Sequence, residues 1–209
     1  MNVVTLEQAA TYVASGNRVF VQGAAMTPNR LINAICARYR ELQEVEIISI
    51  HTDGEVLFAR EPYLNSFRIN SCFVGGNVRK AVNTNRGDYI PIFLSEIHLL
   101  FREDILPLDV AVIQVSPPDK HGYCSLGASV DVTLPAVQKA KTVIAQLNPH
   151  VPRTHGDGML HVRQIDALVE CDDPIHTYPL APISETEKRI GRHVASLIED
   201  GATLQMGIG

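Results

Sequence analysis

The chain has 209 residues, 45% of them hydrophobic, and a formal net charge of -5, which suits one large α/β domain, or one domain and part of another, with a sizeable core. The acidic balance, the lack of a Lys/Arg stripe and the lack of a bilayer-length apolar run argue against nucleic acid and membrane as partners. The opening residues Met1-Asn2-Val3-Val4 carry no signal-peptide pattern, and Cys36, Cys72, Cys124 and Cys171 stand singly without a CxxC pair, so a reducing cytoplasm is the expected location.

Thr5-Leu6-Glu7-Gln8 is a capping-box pattern and predicts a helix running to about Ser15. Gly16-Asn17 breaks it, and residues 18–22 read as the first strand. The turn Gly23-Ala24-Ala25-Met26-Thr27-Pro28 follows, with Thr27 expected as N-cap and Pro28 at the first position of a helix over residues 29–42. A strand, a small-residue turn and a helix start make an anion-friendly site, because helix N-terminal amides are unpaired. Tight turns of this composition also arise from packing alone, and both readings stand. Residues 45–50 read as a second buried strand, ending in His51-Thr52-Asp53-Gly54. Residues 68–74 read as a third, closing on Gly75-Gly76 before a short helix from about Asn77. Residues 84–89 are polar and loop-like, and Ser95 is expected to cap a helix through Phe101.

After Asp109, the run 110–115 is apolar except for Gln114, as in a strand covered on both faces of a parallel sheet, so residues 109–115 read as a strand. It stops at Ser116-Pro117-Pro118, since proline donates no ladder hydrogen bond. The loop beyond it holds Asp119, His121, Gly122, Ser125 and Gly127, at the kind of strand end where open α/β sheets place ligands. Residues 133–141 read as a helix, 142–147 as a strand, and 148–158 as a Pro/Gly/His-rich loop. Short strands are expected at 167–170 and 175–178, and Ser184 with Glu187 forms a second capping box for a helix to Glu199. Strands alternating with helices predict a doubly wound, mostly parallel sheet.

The end of the chain resembles its beginning. Residues 16–25, GNRVFVQGAA, align without gaps on 200–209, DGATLQMGIG, each set after an amphipathic helix. The expectation is a domain over residues 1–182, then a linker helix and the first strand and turn of a second, similar domain over 183–209, with the remainder of that half missing.

Residue chemistry alone supplies no complete active site. His121, Cys124 and Ser125 lie close in sequence, but the loop lacks the GxSxG spacing of a nucleophile elbow, and Cys124 reads as a packed thiol. His150, His155 and His161 lack HExxH or CxxC spacing, so no metal is expected. Asp119 with Ser116 also suits an Asx-type turn.

The segment Ser116-Pro117-Pro118-Asp119-Lys120-His121-Gly122-Tyr123-Cys124-Ser125-Leu126-Gly127 resembles the acetyl-CoA hydrolase/transferase family, in particular its 4-hydroxybutyrate, butyryl and acetate CoA-transferases. Further likeness lies in GAAMTP, Phe73-Val74-Gly75-Gly76, residues 148–156 and the final Gly207-Ile208-Gly209. The resemblance implies two similar α/β halves with acyl-CoA between them, and ping-pong transfer of coenzyme A to a small carboxylic acid through a glutamyl thioester. It places Gly207, Ile208 and Gly209 against coenzyme A, their amides serving a developing oxyanion. It makes Gly23, Ala24, Ala25, Thr27, Pro28, His51, Gly75, Gly76, Ser116, Asp119, His121, Gly122, Ser125 and Gly127 the substrate-side wall.

The family's nucleophilic glutamate falls beyond Gly209, so no catalytic residue is assigned and the chain alone is expected to be inactive. An acyl-CoA hydrolase of the same family, a non-catalytic binding or assembly module, and a sugar-phosphate isomerase-like relative that binds phosphate at residues 23–27 remain as alternatives. An exposed half-interface would also favour a homo-oligomer.

Overall fold

Short aliphatic runs separated by helices build one seven-stranded parallel sheet, seen in a computed structural model that describes residues 2–179, 181–205 and 207. The strands in chain order are β1 (Arg18–Val21), β2 (Val45–Ser49), β3 (Phe67–Ser71), β4 (Gly87–Tyr89), β5 (Val110–Val115), β6 (Tyr123–Ser125), β7 (Thr142–Leu147), β8 (Met159–His161) and β9 (Ala167–Glu170). The main sheet runs β4-β3-β2-β1-β5-β7-β9, while β6 and β8 form a separate antiparallel pair. The helices are α1 (Leu6–Ala10), α2 (Asn29–Ala37), α3 (Arg79–Asn83), α4 (Ile97–Arg102), α5 (Thr133–Lys139) and α6 (Glu185–Ala195).

Alternate residues of each strand face opposite sides of the sheet. Val19, Val21, Ile47 and Val112 share one apolar cluster with Leu31, Ile32 and Ile35 of α2. Phe20, Ile48, Ala111, Ile113 and Val115 share the other with Ile97 and Phe101 of α4 and Ala136 and Val137 of α5. All six β5 residues are buried, as an apolar strand with helices on both faces requires. The chain winds from β1 outward to β4, then returns to β5 and winds the other way to β9. The direction of winding thus reverses between β1 and β5, the kind of position at whose carboxyl ends open α/β sheets place a ligand crevice.

The flank beside β9 carries residues 2–4. Val3 bridges Leu168 in parallel, the Val4 amide donates to the Leu168 carbonyl at 2.9 Å, and the Leu168 amide donates to the Asn2 carbonyl at 2.9 Å.

Several sequence expectations change. The Thr5 capping box forms, but α1 stops at Ala10 rather than Ser15, and the Arg38 guanidinium takes the carbonyls of Ala10 and Val13 at 2.5 and 2.8 Å. Thr27 is not the N-cap of α2: Pro28 holds that position without a side-chain cap. The Thr27 hydroxyl donates instead to the Ala24 carbonyl at 2.7 Å and accepts from the Asp53 amide at 3.0 Å. α2 ends at Ala37, short of Leu42. Residues 87–89 form a strand rather than a loop, because Gly87 lacks the Cβ that would meet Ile69 at 2.9 Å. Residues 175–178 form no strand.

The chain divides into two compact units, Met1–His176 and Thr177–Gly209. In the second, the Ser184–Glu187 capping box starts α6, which ends at Ala195 rather than Glu199 and has no buried residue. The expected strand of the repeat is absent from the described residues 202–205, where no neighbouring strand takes up its backbone groups. Ile208 and Gly209 lie outside the described residues, and Gly207 is exposed.

Candidate functional site

One wall of the crevice comes from the ends of β1, β2 and β3. Beyond β1 the backbone crosses closely over β2: the Ala24 amide donates to the His51 carbonyl at 3.1 Å, and Ala24 bridges Thr52. A Cβ on Gly23 would lie 2.4 Å from that same carbonyl oxygen, so only glycine fits. The amides of Met26, Thr27 and Asn29 donate to the carbonyls of Gly23, Ala24 and Thr27. A phosphate cradle needs such amides free, so the turn favours packing over the anion reading. The His51 ring meets Phe73 edge-on at 6.1 Å between centroids, and a Cβ on Gly75 would lie 3.9 Å from the His51 Cβ. The Asn77 amide group fastens this wall by donating to the Thr52 carbonyl at 2.6 Å. Gly76 is exposed with open space around it.

The other wall is the loop between β5 and β6. The Asp119 carboxylate accepts from the amides of His121 and Tyr123 at 2.8 and 2.9 Å, and from Arg153 at 2.7 Å. The Tyr123 amide above all, helped by the His121 amide and the Arg153 charge, holds its pKa below the usual value although desolvation pushes the other way. Arg153 also reaches the Tyr123 carbonyl at 3.0 Å. Ser116 is buried, and its hydroxyl accepts from the Ser125 amide at 2.8 Å. Ser125 is fully buried, and its hydroxyl accepts from the amides of Gly127 and Thr154 at 3.1 and 3.0 Å. Both serines hold the loop together. Gly127, at φ +72°, presses on Met26 and Val151, where an added Cβ would come within 2.7 Å of each. Gly122, at φ +84°, lies against the His161 ring, which approaches the His121 carbonyl at 3.1 Å.

Cys124 is fully buried, and burial pushes its thiol up to about 11, so it is not a thiolate nucleophile at neutral pH. His150 pairs with Asp172 at 2.8 Å. Among the described residues no three His, Cys, Asp or Glu side chains gather as metal ligands.

A groove of about 590 Å³ adjoins this region, lined by Leu94, His98 and Arg102 on one side and by Val130, Asp131 and Asp157 on the other. Asp131 is exposed at the rim of this groove, and partial desolvation there raises its carboxyl pKa, an effect the His51 charge opposes. Its backbone is left-handed at φ +40°, uncommon for a non-glycine residue.

Gly23, Ala24, His51 and Gly75 therefore come together around the strand ends. Asp119, His121 and Gly122 belong to the β6 arm, and Thr27, Ser116 and Ser125 face inward. Asp131, Arg153 and Gln22 escape the sequence reading. Gln22 alone left a signal, as a polar residue ending an apolar strand, of the same kind as Gln114 within β5.

The model of the acetyl-CoA hydrolase/transferase N-terminal domain matches residues 1–178. The chain is 45% identical over 207 residues to the 4-hydroxybutyrate coenzyme A transferase of Clostridium kluyveri, covering 99% of this chain and 48% of that protein. It is also 45% identical over 201 residues to a succinyl-CoA:acetate/propanoyl-CoA:succinate CoA transferase of Fasciola hepatica, covering 95% of this chain and 42% of that one. Among solved structures, RipA from Yersinia pestis matches all of this chain and 51% of its own, with a TM-score of 0.89 at 27% identity. A 4-hydroxybutyrate CoA-transferase from Porphyromonas gingivalis matches all of this chain and 48% of its own, with a TM-score of 0.81 at 31% identity. The chain thus spans about half the length of the curated relatives it matches. No helix among the described residues is long and apolar enough to cross a membrane. With its sheet reversing between β1 and β5 and the match over residues 1–178, the chain belongs to the acetyl-CoA hydrolase/transferase family and carries that family's N-terminal domain.

Proposed function

We propose that the chain forms one wall of the site in a CoA-transferase that moves coenzyme A between a short acyl-CoA (4-hydroxybutyryl-, butyryl- or acetyl-CoA) and a small carboxylic acid. The observation that carries this reading is the family match over residues 1–178 on a sheet whose winding reverses between β1 and β5, and Gly23, Ala24, His51, Gly75 and the Ser116–Gly127 loop at those strand ends would wall the site. Residues 1–182 act as the first α/β domain and 183–209 lead into a second, whose glutamate is the nucleophile.

Its carboxylate attacks the thioester carbonyl, the C–S bond breaks, and an acyl-glutamyl anhydride forms with CoA thiolate as leaving group. The thiolate then attacks the glutamyl carbonyl, releasing the first carboxylate and leaving a glutamyl-CoA thioester. The acceptor carboxylate runs the two steps in reverse. Amides of Gly207, Ile208 and Gly209 would face the developing oxyanion, and the wall described above would orient the acyl group. Water in place of the acceptor acid would make the same site a hydrolase.

The test pairs an assay with a reading frame. CoA transfer from butyryl-CoA to 4-hydroxybutyrate should be undetectable with the 209-residue chain alone. The codons after Gly209 should encode a second α/β half with a glutamate within a few tens of residues, and that longer protein should turn over. Robust turnover by the 209-residue chain would overturn the placement of the nucleophile. A stop codon directly after Gly209, with no acyl-CoA binding, would favour a non-catalytic module instead.

A further inference from the structure

Four carboxamides lie buried at the carboxyl ends of the central strands: Gln22, Gln114, Gln146 and Asn148 are at most 3% exposed. Parallel strands normally fill such positions with aliphatic side chains, because each buried amide must find partners. Here the partners form a ladder across β1, β5 and β7. The Gln22 Oε1 accepts from the Gln114 backbone amide at 2.8 Å. The Gln114 Oε1 accepts from Gln146 Nε2 at 2.8 Å and from Asn148 Nδ2 at 3.0 Å.

Gln22 differs from the others in what its donors hold. Its Nε2 donates to the carbonyls of Leu126 and Ser129, each at 2.9 Å and more than 100 residues away in sequence. Gln22 directly precedes Gly23, and Leu126 to Ser129 continue the chain just beyond β6, so one side chain joins the end of β1 to the segment where the Ser116–Gly127 loop ends. Two residues beyond Ser129 stands Asp131, in its left-handed backbone conformation on the rim of the groove. Such a conformation persists only where surrounding contacts over-determine it. The contacts here are the Gln22 tether on one side and the start of α5 on the other, where the Thr133 amide donates to the Val130 carbonyl at 2.8 Å.

We propose that Gln22 is a positioning residue of the acyl-CoA site: its carboxamide ties the segment around residues 126–129 to the end of β1 and so holds Asp131 at the rim of the groove that it shares with His98 and Arg102. The proposal rests on the acyl-CoA reading only for the identity of the ligand. The tether itself stands on the hydrogen bonds. The charged and titratable groups around Asp131 are His51 from the β2 end, His98 and Arg102 from α4, and Asp157 from the loop after β7.

The test is carbon NMR of the Asp131 carboxyl in the 209-residue chain, with wild type, Gln22→Met and Gln146→Leu compared. Gln22→Met keeps the length of the side chain and removes both donors. The Asp131 midpoint should then fall toward the ordinary value of about 3.9, because release of the segment relieves the desolvation. Amide exchange over residues 128–131 should rise on the order of tenfold, as expected for the loss of one or two hydrogen bonds. Gln146→Leu also removes a buried amide of the ladder but neither bond to the segment, and should leave the Asp131 midpoint in place.

An unchanged midpoint in folded Gln22→Met, or an equal shift in Gln146→Leu, would overturn the tether. If Gln22→Met does not fold, Gln22→Glu is read by amide exchange. The introduced carboxylate should loosen residues 128–131 near neutrality and restore protection on acidification, when the protonated acid regains one donor. Loosening that ignores pH would overturn the proposal. Butyryl-CoA added to wild type should shift the Asp131 resonance. If it does not while Gln22→Met still lowers the midpoint, the acyl-CoA reading fails and the tether holds.

Discussion

Gly23 stands at the narrowest approach in the crevice. An alanine Cβ would meet the His51 carbonyl oxygen at 2.4 Å, and that oxygen is fixed by the Ala24 amide. Neither partner is the free end of a flexible side chain, so Gly23→Ala must shift backbone. A loss of about 1–3 kcal/mol is expected, measured as a lower denaturant midpoint with an unchanged slope. This residue was legible in the sequence as a small position after an apolar strand. Its cause was not, because the group it makes room for lies on a neighbouring strand. Thr27 shows the same limit: its type and its place before Pro28 fit an N-cap, but a carbonyl within its own turn and the Asp53 amide take the hydroxyl. Gln22 showed only as a polar residue ending an apolar strand, and its partner more than 100 residues away leaves no trace in local spacing.

Alongside the two buried serines, one carboxylate braces the loop from β5 to β6. In the unfolded chain Asp119 titrates near the ordinary value of about 3.9, and in the folded chain below it, so the ionised form favours the native arm. That contribution is fully present above the unfolded value and is lost as pH falls through the lower, folded one. The expected outcome is a local loosening of residues 119–125 as pH drops below about 3.9, read from the Tyr123 and His161 resonances, whose rings meet at 5.0 Å. In Asp119→Asn the acid-dependent change should disappear, with the arm already loosened at neutral pH because Arg153 has lost its ionic partner. The long strands β2, β5 and β7 could be read directly, since continuous aliphatic runs have few other homes in an α/β fold. The strands β4, β6 and β8, at three residues each, are too short to show a period.

At the scale of the whole molecule, sequence alternation predicted the doubly wound sheet, and the family motif in residues 116–127 pointed to relatives about twice as long. The second unit keeps its capping box but shows no strand among the described residues 202–205, because a strand depends on a neighbour and a cap on its own residues. Ile190 and Val194 of α6 are 57% and 54% exposed, and Leu197 just beyond it is 84% exposed. Brief trypsin treatment should therefore cut first at Lys188, Arg189 and Arg192, leaving a fragment that begins at Met1 and ends at Lys188, Arg189 or Arg192, which mass spectrometry identifies and which contains the whole first unit, Met1–His176.

The first few residues give the sheet a further property. A parallel sheet that ended on a bare β9 would offer its outermost backbone groups to any extended peptide. The Leu168 amide and carbonyl are instead already engaged by Asn2 and Val4. At the far flank β4 presents only three residues, and the Arg68–Asp88 ion pair places opposite charges beside it. Recruitment of another copy into a growing fibril is thus hindered at both flanks by short, local devices. Trimming the start of the chain would expose one flank to such recruitment.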